Sequence, residues 1–123
     1  MTTAELAKNW LQSQGFRCNL DEDGDAVFKY QGANMFVSVD EDDPLFMKLV
    51  MPHIYEVEGN LEQVLKAANA VNSRIKAVKC IVIENNVHLV IEMFVDSTPE
   101  MDDFFERCCD ILIASRRIFI EEL

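Results

Sequence analysis

The chain has 123 residues, 50% of them hydrophobic, with few Gly and Pro, which is the composition of one globular domain with a core of its own. Its 22 acidic residues outnumber 11 basic ones, giving a formal charge of −11, and no Lys/Arg cluster offsets that excess locally. Such a surface repels phosphate backbones and anionic lipid, so nucleic acid and membrane are excluded as partners, and basic or amphipathic protein segments are the expected ones.

No run of residues is long and apolar enough to span a bilayer. The start, Met1-Thr2-Thr3-Ala4-Glu5, lacks the basic and apolar regions of a secretory leader, so the expected location is cytoplasmic. Cys18, Cys80, Cys108 and Cys109 sit in apolar runs without C-x-x-C spacing. They read as small core hydrophobes in a reducing compartment, not as a disulfide framework or a zinc site.

In chain order, Thr2 and Glu5 form a capping box at the head of a helix whose apolar face is Leu6, Ala7, Trp10 and Leu11. Gly15 ends it. Four short strands follow: Phe16 to Leu20, Ala26 to Tyr30, Met35 to Val39 and Leu45 to Met51. The acidic turns Asp21 to Asp25 and Asp40 to Asp43 separate them, with Gln31 to Asn34 between. Turns this short hold only antiparallel neighbours. Pro52 cannot donate to a ladder, so the fourth strand ends, bulges or lies at an edge there.

A second helix follows Gly59, with Asn60 as its expected cap and Leu61, Val64, Leu65, Ala68, Val71 and Ile75 at helical spacing. Asn72 falls on that face, where an unpaired amide is costly. Asn69 and Asn72 are therefore expected to be structural polar residues.

Next comes a hairpin, Ala77 to Glu84 and Val87 to Val95, turning at Asn85-Asn86. That register sets Val82, Cys80 and Val78 against Leu89, Ile91 and Met93 on a wholly apolar side. On the other side Ile83 faces His88, Ile81 faces Val90, Lys79 faces Glu92 and Ala77 faces Phe94. Opposite charges at Lys79 and Glu92 agree with this pairing.

The last helix is expected from Ser97-Thr98-Pro99, with a stripe through Met101, Phe104, Phe105, Cys108, Ile111, Leu112, Ser115, Ile118 and Phe119. Cys109, Ile113 and Ile120 widen that stripe beyond what one sheet face covers. Either the first helix or a second subunit is expected to cover the remainder.

The predicted fold class is α+β: an antiparallel sheet with helices on one face, in the order α-β-β-β(-β)-α-β-β-α. No glycine-rich phosphate loop, nucleophile elbow or H-E-x-x-H motif is present. His53 and His88 are the only histidines and have no partner at metal-ligand spacing. Asp21-Glu22-Asp23-Gly24-Asp25 lacks the Gly and Glu that a calcium loop requires at its sixth and twelfth positions, so it reads as a solvated turn. No catalytic residue, metal or cofactor is expected. The candidate partner-binding residues are Ile81, Ile83, Val90 and Phe94 on the hairpin's mixed face, with Ile113 and Ile120 on the last helix.

The chain also resembles the YbjN-like family of small bacterial domains, within the wider type III secretion chaperone fold. The resemblance rests on Gly15-Phe16 followed by Asp21-Glu22-Asp23-Gly24, on the helix Leu65 to Asn72, and on the closing helix Ser97 to Leu112. It implies a compact, often dimeric module that binds other proteins or serves regulation, with no catalytic residues to carry over. A chaperone-like or regulatory protein-binding module, acting as a homodimer, is the leading expectation. The alternative is a small-ligand sensor with an apolar, Met-rich pocket between sheet and helices.

Overall fold

The computed structural model describes residues 1–123. Helix α1 (Thr3–Ser13) opens with the capping box in place. The Glu5 N–H donates to Thr2 Oγ1 at 3.1 Å, and the Thr2 N–H donates to Glu5 Oε1 at 3.2 Å. Strands β1 (Cys18–Leu20), β2 (Ala26–Tyr30), β3 (Ala33–Ser38) and β4 (Phe46–Glu56) follow as a meander. Helix α2 (Leu61–Arg74), the hairpin β5 (Val78–Ile83) and β6 (Asn86–Phe94), a 3-10 turn (Met101–Asp103) and helix α3 (Phe105–Glu122) complete the chain.

The six strands form one antiparallel sheet in the order β1-β2-β3-β4-β6-β5. Period-2 alternation sends Phe28, Met35, Val37, Met47, Leu49, Cys80, Leu89 and Ile91 to one face, where the helices bury them. Phe105 sits at the centre of that core, its ring 5.4 Å from Trp10 and 5.9 Å from Phe28. Tyr30 donates its hydroxyl proton to Asp110 of α3 at 2.6 Å, tying helix to sheet. Burial, reinforced by that bond, pushes the phenol well above its usual range.

Four details differ from the sequence reading, each because tertiary pairing outweighs a local signal. The hairpin turns at Glu84-Asn85, both at positive φ (48° and 66°), so Ile83 faces Asn86, Ile81 faces His88 and Lys79 faces Val90. Asn86 enters the ladder because it also pairs with Glu56 on β4. The offset changes by two residues, so every side chain keeps its face. The Lys79–Glu92 pair forms at 2.6 Å, but diagonally, and so did not diagnose the register.

Asn60 does not cap α2 with its side chain; its Oδ1 accepts from the Glu58 N–H and its amide donates to the Tyr55 hydroxyl at 2.8 Å. Helix α3 begins at Phe105, well past Thr98-Pro99. The Thr98 N–H donates to Asp96 Oδ1 instead, and the 3-10 turn carries Met101 into the core first. Finally, α2 turns Val64, Ala67, Ala68 and Val71 inward and leaves Leu61 and Leu65 outside.

Strand β4 does not stop at Pro52; its pairing with β6 shifts between Met51 and Tyr55, with His53 at φ 52°. This is a bulge, one of the three outcomes expected of a proline there. Most of the broad stripe of α3 is covered within the chain by the sheet, by α2 alongside it and by Trp10 of α1, while Ile120 stays exposed. No helix is long and apolar enough to cross a membrane.

Candidate functional site

The other face of the sheet carries no helix. Its residues can be assigned from the ladder. A row runs across the strands through Asn19, Val27, Phe36, Val50, Val90 and Lys79, each paired with the next. Beside it lie Lys48 and Glu92 in one direction, then Phe46 and Phe94 with rings 5.8 Å apart. In the other direction lie Lys29 and Asn34, then His88 and Ile81, then Asn86 and Ile83.

Ile81, Ile83, Val90 and Phe94 therefore share one face. Phe94 is 85% exposed and Ile83 is 52% exposed. Val90 is only 2% exposed, although no helix lies over it. Val50 is likewise buried, and neither belongs to the helix-covered core. Longer neighbours on the same face shield this centre, while its ends stay open to solvent.

Ile113 and Ile120 do not join this surface, because α3 lies behind the sheet. Ile113 packs on the core, and Ile120 is exposed on the helical side. Asn72 donates its amide to the Cys80 carbonyl (3.1 Å) and accepts the Cys80 N–H (2.7 Å). Asn69 has no such role and stands outward beside Leu61 and Leu65.

The two histidines, far apart in sequence, meet on the open side of the sheet. Their rings are 4.7 Å apart, and the His53 N–H at the bulge donates to Nδ1 of His88 at 3.2 Å. Nδ1 is therefore unprotonated. Burial, and then the nearness of His53, lowers the His88 pKa. The contact was invisible in sequence because it needs β4 beside β6, and strand order is not encoded in periodicity. The same holds for Phe36 and Val50, whose alternation marked them as facing away from Met35 and Leu49 but not as neighbours of Val90.

The Asp21, Asp23 and Asp25 carboxylates lie within 4.8 Å of one another. They serve the turn: Asp21 Oδ1 accepts the Asp23 and Asp25 N–H groups, and Asp25 Oδ1 accepts the Val39 N–H. All four cysteines are buried and free, and burial raises the Cys80 thiol to about 11. Such thiols are poor nucleophiles. Met35, Met47, Met51 and Met101 are buried in the core between sheet and helices.

A family model described as T3SS (YopN, CesT) and YbjN peptide-binding chaperone 1 matches residues 2–112. The chain belongs to this chaperone family. Solved structures share the fold. A protein from Methanothermobacter thermautotrophicus, described as uncharacterized, is 18% identical with a TM-score of 0.63, over 98% of this chain and 96% of that one. YbjN from E. coli, described as a putative transcription regulator, is 14% identical with a TM-score of 0.65, over 95% of this chain and 88% of that one. The Yersinia pestis type III secretion chaperone SycH, solved with a stable fragment of YscM2, is 12% identical with a TM-score of 0.55, over 92% of this chain and 98% of that one. No curated protein matches the sequence.

Proposed function

We propose that this chain is a non-catalytic, chaperone-like module that holds a segment of another protein on the open face of its sheet. The observation that carries this reading is the exposure of Phe94 and Ile83 on a face that no helix covers. An apolar surface with a polar border is the usual anatomy of a protein contact. The peptide-binding description of the family and the partner fragment bound by SycH favour the same reading. Free, buried cysteines fit work in a reducing cytoplasm.

A photo-crosslinking residue placed at Ile83 tests it, with Glu106 on the helical side as control. Adducts with another polypeptide at Ile83, lost when Phe94→Asp is added, are the expected result. Equal labelling at both positions would overturn it.

The module also acts as a dimer in this reading. Leu61 and Leu65, one turn apart on α2, are 48% and 51% exposed and form an apolar surface on the helical side. Sedimentation equilibrium should show a dimer that Leu65→Glu converts to monomer. A wild-type monomer at all concentrations would remove the dimer and leave the open-face reading standing.

A further inference from the structure

The net charge suggests a basic partner, but the charges are not evenly spread. The strand positions of the open face hold Lys29, Lys48 and Lys79 among the chain's 11 basic residues, and only Glu56 and Glu92 among its 22 acidic ones. Glu92 is held by Lys79, and Glu56 lies at the far end of β4 beside the hairpin turn. Lys29 and Lys48 are exposed and make no ion pair.

These two lysines flank the apolar row. Lys29 is two residues from Val27 on β2, and Lys48 is two residues from Val50 on β4, which places both on the row's own face. A shallow recess around Val27 is lined by Arg17, Val27, Phe28, Lys29 and Asn34, with two cations and no carboxylate. The recess at the end of β6, which Phe94 itself lines, has the opposite character, with Asp96, Glu100 and Asp103 around Val95 and Phe104.

We propose that the open face selects an acidic, apolar segment of a partner protein, whose carboxylates sit against Lys29, Lys48 and Arg17 while its apolar side chains cover Val27, Phe36 and Phe94. This rests on the reading of the open face as the docking surface and adds the chemistry of its occupant. From Val27 to Val90 the row crosses three strand spacings, about 14 Å, which about five extended residues span. Asp40 shares a recess with Lys48 and Phe46, and Asp96, Glu100 and Asp103 share one with Phe94, so the segment's carboxylates gather mainly at the Arg17–Lys29 end, more than a Debye length of about 8 Å away, while its uncharged apolar end covers Phe94. Two copies meeting through this face would bring like-charged lysines together, so a second copy is the poorer occupant.

Fluorescence anisotropy at physiological salt with two short labelled peptides tests this. One carries Leu and Phe between glutamates, and the other has Lys in place of each Glu. The expected result is tighter binding of the Glu peptide in spite of the overall negative charge. The double variant Lys29→Glu/Lys48→Glu should weaken it by about tenfold and strengthen binding of the Lys peptide.

If the Lys peptide binds the wild type more tightly, and Phe94→Asp abolishes that binding, the charge inference is overturned while the docking face stands. If neither peptide responds to any open-face substitution, both fall. If sedimentation shows that Lys29→Glu/Lys48→Glu changes the oligomeric state, the occupant is a second copy and the proposal is overturned.

Discussion

One set of strands builds both faces of this sheet, yet the two faces do different work. Toward the helices, Met47, Leu49, Leu89 and Ile91 are packed under α3 and share in one continuous core. Away from them, Val50 and Val90 are almost as dry, but only because their own neighbours shield them, and Phe94 and Ile83 at the margins are left in water. Adjacent residues on one strand thus enter the helix-covered core or the helix-free face according to parity alone. The lesson is that burial by itself does not identify the core: Val90 is buried and still belongs to the candidate contact surface.

Substitutions can test how far the two faces separate. The largest effect is expected at Phe105, which is fully buried between Trp10 and Phe28. Phe105→Ala should cost about 3–5 kcal/mol, read as a lower urea midpoint. Val90→Asp comes next, at about 2–4 kcal/mol, because it forces a carboxylate into a dry position on the nominally open face. If Val90→Asp leaves the midpoint unchanged, the open face is looser than the structure shows.

A smaller effect is expected at the histidine pair. The native fold lowers the His88 pKa from its ordinary 6.5, so below that value the unfolded chain binds more protons than the folded one. The stability contributed by neutral His88 is present above about pH 6.5 and is lost as pH falls through the lowered native value. Thermal midpoints measured from about pH 7.5 down to 5.5 should show this decline, and His88→Gln should flatten it. The smallest change in stability is expected at the most exposed residue. Phe94→Asp, which loses only the exposed ring pair with Phe46, should cost about 1 kcal/mol or less, read from the urea midpoint, while removing partner contact, which is the dissociation the two-face picture requires.

The order of elements and the existence of an open hairpin face were legible because alternation and helical spacing are local properties. The facing of Ile81, Ile83 and Phe94 survived even a wrong turn assignment, since moving the loop from Asn85-Asn86 to Glu84-Asn85 changes the pairing by an even number. What could not be read was everything that depends on which strands are neighbours. Placing β4 between β3 and β6 is what joins Phe36 and Val50 to Val90, brings His53 to His88, and sets Lys48 beside Glu92. Net charge is silent on the open face for a related reason: it sums over loops and helices that the strand positions do not contain.

Asn72 marks a limit on how the molecule can grow. Strand β5 is the last in the sheet, and its outward groups at Cys80 are already matched by the Asn72 amide, one bond given and one taken. A short side chain thus stands where the next strand of a filament would begin, and β1 at the opposite margin has only three residues to offer. With both margins discouraging lateral addition, the proposed docking on the broad side of the sheet would not seed a fibre.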